Sequence, residues 1–352
     1  MKSRIIGLWI ALPLALASCK KSSPDAGAAA GGAAPLTIGY TLHGLNDFTQ
    51  IIQRGAQDAG KALGVKVDVQ GPAIFAAGDA IAIFEGMVQK RVDGLAVIPM
   101  PGDVWVTPIK NATQAGVPVV TANVSSPDST ASTWFGQDEF GSGIILATAI
   151  RNALGEAGKT HGTIIVGICA PGVDVLNKRY DGFKKGMAAS GFVVSEPFDV
   201  GTENGANYGA WENLVGAHAD AVAVIGLCSM DLPNLAKLKA RSNGRWVVGG
   251  YDLSPETLDA IKAGTIQVTL GQHPYLQGYL PVMALVQHLR DKKPLPRGWV
   301  DVGTEVVTKK NVEALYDRET NPTAETAWYA AYIKEHFSDL GALAKPLLGR
   351  EP

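Results

Sequence analysis

From Leu36 onward the chain alternates short apolar runs with longer stretches in which apolar residues recur every three or four positions. The short runs lack a strict polar alternation, the pattern of strands buried on both faces. In the first half the pattern predicts strands at 36–41, 65–69, 94–98 and 118–121. It predicts helices at 47–63, 79–90 and 104–115, the first closed by Gly64 as its C-cap. The second half predicts strands at 163–169, 193–198, 221–227 and 246–251, with helices at 178–189, 208–216 and 232–241. Strands alternating with helices give parallel sheets joined by right-handed crossovers.

The two halves are related. Arg54-Gly55 precedes Ala62-Leu63-Gly64-Val65, and Asp181-Gly182 precedes Ala189-Ser190-Gly191-Phe192. Gly182 stands 127 positions after Gly55, and Gly191 stands 127 after Gly64. Val92-Asp93-Gly94-Leu95-Ala96-Val97-Ile98 matches Ala219-Asp220-Ala221-Val222-Ala223-Val224-Ile225 at the same offset. Several matches at one offset indicate a duplicated unit. Two such lobes in tandem face each other through their strand C-termini, the edge at which open α/β sheets bind ligands.

An ordered series of short segments runs through both halves. It includes Leu45-Asn46-Asp47-Phe48, Gly55-Ala56-Gln57-Asp58-Ala59, Gly116-Val117-Pro118-Val119-Val120 and Phe135-Gly136-Gln137-Asp138. Further on stand Arg179-Tyr180-Asp181-Gly182-Phe183, Gly250-Tyr251-Asp252, Pro255-Glu256-Thr257-Leu258 and Gln272-His273-Pro274-Tyr275. The series resembles the type I periplasmic binding proteins, specifically the ribose-binding-like receptors of ABC importers, over about residues 36 to 315. No single segment is specific; the order is.

The resemblance implies an α/β fold of two Rossmann-like lobes joined by a three-segment hinge, with crossings near Gln137-Asp138, Gly271-Gln272 and 300–303. The N-terminal lobe would comprise 36–137 plus 273–300, and the C-terminal lobe 138–272 plus 301–320. Beyond these, 321–352 is expected as a helical extension whose aromatic residues, Trp328, Tyr329, Tyr332 and Phe337, have helical spacing. That spacing fits a helix packed on the outside of a lobe, or a docking surface for another protein.

The same resemblance implies a ligand set. Phe48 would lie against the apolar face of a ring, while Asn46, Asn123 and Gln272 both donate and accept. Arg179 and Asp252 would bond hydroxyls, each such charged bond contributing roughly 1.5–3 kcal/mol. Asp138, beside the first crossing, and Cys228, after a strand, complete the set. For Asp252 a loop-capping role near Ser254-Pro255 competes with the ligand role, and for Arg179 a solvated helix face does. Two positions depart from the family: Asn123-Val124 replaces the usual Asp-Arg, and Cys228-Ser229 replaces Asn-Asp. The cleft therefore loses charge, which leaves a pentose, a hexose, a polyol, a modified sugar or a less polar solute open. Cys169 and Cys228 follow neighbouring strands in the implied order. In an oxidising periplasm a disulfide between them is the alternative. Geometry between adjacent parallel strands is often unfavourable, so two buried free thiols are expected.

The first residues bear on location. Lys2 and Arg4 precede an apolar run over 5–16 that ends in Leu16-Ala17-Ser18-Cys19. The run has the length of a signal segment rather than a membrane span, and a Cys directly after Leu-Ala-Ser resembles the lipobox of bacterial lipoproteins. Residues 1–18 are expected as signal peptide, Cys19 as the lipidated residue, and 19–35, rich in Ser, Ala and Gly, as a flexible tether. An incidental Cys in a secreted protein is the competing reading. The protein would be a periplasmic, membrane-anchored monomer whose membrane contact is the lipid alone.

Net charge is −2 with 18% charged residues, and no basic run extends beyond pairs such as Lys184-Lys185, so a nucleic-acid surface is unsupported. The 6 histidines show no metal-ligand spacing, and neither a phosphate loop nor a nucleophile elbow is present. No cofactor and no enzymatic activity are expected. The partners implied are a small sugar-like solute and an ABC permease. A sensory receptor presenting a solute to a chemoreceptor or sensor kinase, and a carrier of an apolar solute, are the alternatives.

Overall fold

The computed structural model describes residues 35–347; the signal segment, Cys19 and the tether up to residue 34 lie outside them. The first lobe opens with β1 (Thr37–Thr41), α1 (Asp47–Leu63), β2 (Lys66–Gln70), α2 (Ala77–Gln89) and β3 (Gly94–Val97). It continues through α3 (Val106–Gln114), β4 (Val119–Ala122) and β5 (Thr133–Gly136). The second lobe begins with α4 (Glu139–Glu156), β6 (Gly162–Ile168), α5 (Asp174–Met187), β7 (Phe192–Val194) and β8 (Phe198–Asp199). Then come α6 (Asn204–Ala217), β9 (Ala223–Gly226), α7 (Asp231–Ser242), β10 (Val247–Tyr251), α8 (Pro255–Lys262) and β11 (Val268–Gly271). The chain closes with α9 (Pro274–Asp291), β12 (Gly298–Asp301), β13 (Glu305–Val307), α10 (Val312–Thr320), α11 (Pro322–His336) and α12 (Leu340–Leu343).

Two sheets result. The first has the order β12-β5-β4-β3-β1-β2, all parallel. The second has the order β13-β11-β10-β9-β6-β7, with β8 also on β6 and only β13 antiparallel. The duplication is visible in the elements: α1 and α5 start at Asp47 and Asp174, and α2 and α6 at Ala77 and Asn204. The chain passes between the sheets three times, at 137–138, at 272–273 and at 302–304.

Each sheet is covered on both faces, which is why its strands read as unbroken apolar runs. On β6, Ile164 and Val166 meet α4 and α5, through Ile150 and Phe183, while Ile165 meets Trp211 and Leu235 of α6 and α7. In the first lobe α1 and α9 cover one face and Phe84 and Trp105 the other. Backbone contact between α1 and α9 requires Gly278, where a Cβ would overlap the Ile52 carbonyl.

The largest departures from the sequence reading are at three boundaries. The strand expected at 193–198 is divided into β7 and β8, because Pro197 has no N–H for a ladder bond. Helices α5 and α6 begin four residues earlier than their apolar spacing indicated, since Val175, Leu176 and Asn207 are already buried in their first turns.

Candidate functional site

The strand C-termini and the hinge enclose an open cleft of about 760 Å³. Its first-lobe wall carries the apolar Leu45, Phe48, Ile51, Ile74, Phe75 and Met100 beside the polar Asn46, Asp47, Gln50 and Arg54. Its second-lobe wall is polar, with Thr202, Asn204, Ser229, Asp252, Ser254 and Glu256. Gln272 stands between them on the second crossing. Leu45 and Ile74 are 47% and 61% exposed, so an apolar surface is presented to whatever enters.

Asp252 and Gln272 form the centre of this surface. Both are nearly buried, and the Gln272 Nε2 donates to the Asp252 Oδ1 at 2.7 Å. Asp252 sits at φ 75, a left-handed backbone that turns its carboxylate away from the end of β10. Burial pushes the Asp252 pKa up to about 6 despite the opposing pull of Arg179 and the Gln272 hydrogen bond. Its other carboxylate oxygen makes no hydrogen bond to a described residue.

Behind that pair lies a buried polar network. Arg179 donates to Glu139 through Nε at 2.6 Å and Nη2 at 3.1 Å, to the Leu227 carbonyl at 3.0 Å and to the Gln272 Oε1 at 3.1 Å. Its guanidinium also lies 4.2 Å from the centre of the Tyr251 ring. Burial alone would lower the Arg179 pKa, but the Glu139 carboxylate more than offsets it and the net direction is upward. Gln137 donates to Glu139 at 3.0 Å and accepts from Thr304 at 2.8 Å. On the first-lobe side Asn123 donates to Gln277 at 3.0 Å, and Gln277 donates to the Gln272 carbonyl at 2.7 Å.

The expected residues thus separate into two groups. Asn46, Phe48, Asp252 and Gln272 line the cleft. Asn46 uses its Oδ1 to cap α1, accepting from Thr49 N at 2.9 Å. Arg179, Asn123 and Asp138 lie behind the cleft surface: Arg179 and Asn123 hold the network, and Asp138 caps α4 by accepting from Gly141 N at 2.8 Å. Glu139 and Gln277 were not singled out in the sequence. Glu139 directly follows the first crossing, but its pattern alone does not show that it turns inward.

Cys228 is a correction. It is joined to Cys169 in a disulfide with a Cα separation of 6.1 Å, where free thiols were expected. The strands are neighbours as anticipated, β6 pairing with β9 from Ile164↔Ala223 to Gly167↔Gly226. Both cysteines stand beyond the last paired residues, where the chains leave the ladder and the side chains can face one another within the usual range of 4.4–6.8 Å. The Asp231 carboxylate holds the turn, accepting from Cys228 N at 2.9 Å. Cys169, not Cys228, reaches the cleft wall. Among the described residues no group of His, Cys, Asp and Glu is arranged to hold a metal ion.

A family model described as periplasmic binding protein domain matches residues 38–293. The chain belongs to that family. The xylose/arabinose-binding protein of Sulfolobus acidocaldarius is 25% identical over 286 residues, covering 76% of this chain and 69% of its own. The ribose import binding protein of Bacillus subtilis is 28% identical over 269 residues, covering 73% and 83%. Among solved structures, an ABC transporter solute-binding protein of Burkholderia graminis in complex with D-arabinose superposes with a TM-score of 0.73 at 27% identity. That match covers 78% of this chain and 96% of the other. A carbohydrate transporter solute-binding protein of Agrobacterium radiobacter gives 0.75 at 23% identity over 83% of this chain, a likeness of fold. The two-lobed architecture joined by three crossings is therefore the family's own.

The disulfide fixes the loops after β6 and β9, two edges of the polar wall. Protein isolated from an oxidising compartment should show no reactive thiol at Cys169 or Cys228 under denaturing alkylation. Replacing both by Ser should lower stability by about 2–5 kcal/mol in chemical denaturation. Two alkylatable thiols in the native protein would contradict the assignment.

Proposed function

We propose that this chain is an extracytoplasmic receptor that closes on a neutral sugar or sugar-like polyol and delivers it to an ABC permease. The observation that carries this reading is the Asp252–Gln272 pair. Gln272 stands on the second hinge crossing, held from behind by Arg179 and by Gln277, which donates to its carbonyl, and it in turn donates to the cleft-facing Asp252. A carboxylate fixed in this way accepts from hydroxyls, and such charge-assisted bonds are about twice as strong as neutral ones. The facing wall of Phe48, Leu45, Ile74 and Phe75 suits the C–H face of a sugar ring.

Binding that touches both lobes favours the closed arrangement, because only there are both sets of contacts made. The relatives named above are described as binding xylose, arabinose and ribose, and these pentoses are the first candidates for this chain. Arg179, being committed to Glu139 and the Leu227 carbonyl, acts as a positioning residue for Gln272 rather than as a ligand contact. Attachment to the membrane is assigned to Cys19; no helix among the described residues is long and apolar enough to cross a membrane.

In a thermal-shift panel of pentoses, hexoses, polyols and lipids, one or more sugars should raise the melting temperature. A ligand present at 100 times its Kd contributes about 2.7 kcal/mol. Asp252→Ala and Gln272→Ala should abolish that shift in a protein that still folds, with the ligand-free melt lowered because each removes a partner from the buried network. A response to lipids alone, or an undiminished sugar response in both variants, would refute the site. For the anchor, Cys19→Ala should move the protein from the membrane to the soluble fraction, and continued membrane retention would refute the lipobox reading.

A further inference from the structure

The chain makes another passage between the lobes after the three that belong to the hinge. Helix α10 is fastened to the second lobe: the Tyr316 hydroxyl donates to Asp259 of α8 at 2.7 Å, and Arg318 pairs with Glu305 of β13 at 2.6 Å. Helix α11 is fastened to the first. Glu325 pairs with Arg54 of α1 at 2.8 Å, Thr326 donates to Asp58 at 2.8 Å, and Tyr329 stacks on Tyr275 of α9 with ring centroids 4.5 Å apart. Past α12, Lys345 exchanges backbone hydrogen bonds with Trp299 of β12, again in the first lobe.

The joint between the two helices is a single residue. Asn321 ends α10 and is the N-cap of α11, its Oδ1 accepting from Thr323 N at 3.1 Å and Ala324 N at 3.4 Å. The joint also stands at the cleft: Glu319, Thr320, Pro322 and Glu325 all line it. It covers the second hinge crossing as well, where His273, in a left-handed conformation at φ 48, bonds the Tyr329 hydroxyl at 3.0 Å and stacks against Tyr332. Helices α10 and α11 lie beyond residue 293, where the family match ends.

We propose that the α10–α11 joint is a fourth lobe-to-lobe crossing, which walls one end of the cleft and restricts the angles the two lobes adopt. Three extended segments alone would let the lobes swing. A rigid helix pair anchored in both lobes narrows that range, because any large change of lobe angle must bend the chain at Asn321 or break an anchor. Restricting the free protein in advance lowers the ordering cost of binding, so the strap raises affinity for the solute. This last consequence rests on the sugar-receptor reading; the restriction of lobe angle does not.

The test places spin labels on Lys110→Cys in the first lobe and Lys185→Cys in the second, and measures the distance distribution in ligand-free protein. One variant carries a short glycine-serine insert between Thr320 and Asn321. This slackens the crossing but keeps every anchor, so folding is preserved. A second, Arg54→Gln with Glu325→Gln, removes one anchor and leaves no unpaired charge. Both should broaden the inter-lobe distance distribution, and affinity for whichever of D-ribose, D-xylose and D-arabinose binds the parent should fall several-fold. Distributions as narrow as the parent's would overturn the fourth crossing. A broadened distribution with unchanged affinity would overturn its role in binding. If no sugar binds the parent, the sugar reading fails while the distances still decide the crossing.

Discussion

The rest of the molecule depends on one buried ion pair, Arg179 with Glu139. Its members come from α5 and from the first turn of α4, and their side chains are 5% and 2% exposed. Removing one partner of such a pair strands a charge in a low-dielectric interior, at a cost of roughly 3–5 kcal/mol, so the pair persists only if its remaining valences are met. They are met by the hinge. Glu139 takes Gln137 of the first crossing, Gln137 takes Thr304 of the third, and Arg179 takes Gln272 of the second. One network thus fastens all three crossings and delivers Gln272 and Asp252 to the cleft.

This arrangement explains why the site combines an exposed apolar wall with a few fixed polar groups. The first lobe supplies a run of apolar side chains, Leu45, Phe48, Ile74 and Phe75, beside the capping Asn46. The second supplies Asp252, already bonded to Gln272, so in the proposed reading a hydroxyl-bearing solute meets a pre-oriented acceptor. The Cys169–Cys228 disulfide serves the same end by tying together the turns after β6 and β9. The membership of the periplasmic binding protein family gives the architecture; the particular residues around Asp252 give the proposed chemistry.

Much of the fold was legible in the sequence because the duplicated unit repeats at a constant offset, so Gly55 and Gly182 mark the same place in each lobe, although the starts of α5 and α6 lie four residues before the positions expected. Apolar runs located the buried strands for the same reason. The break between β7 and β8 falls at Ser195-Glu196-Pro197, where Val193-Val194 on one side and Phe198 on the other read as one strand interrupted by Pro197. The disulfide was missed because strand adjacency was readable but the path of the chain beyond the ladder was not. Arg179 stood out as a charge at a family position, yet sequence cannot tell a ligand contact from a residue committed to a neighbour such as Glu139. The aromatic spacing of α11 showed that the helix has an apolar face, but not that His273 and Tyr275 lie beneath it.

In the proposed site the solute's hydroxyls donate to the Asp252 carboxylate, whose pKa burial pushes up to about 6. A bound donor favours the ionised form, so binding draws the pKa down and releases a proton when pH is near 6. Titration calorimetry of the sugar that binds, between pH 5 and 8, tests this most directly. Affinity should rise as pH rises through about 6 and level off above 7, and any residual binding by Asp252→Asn should be independent of pH across that window. An affinity that is flat from pH 5 to 8 in the parent protein, or that falls as pH rises, would contradict the placement of the solute on Asp252.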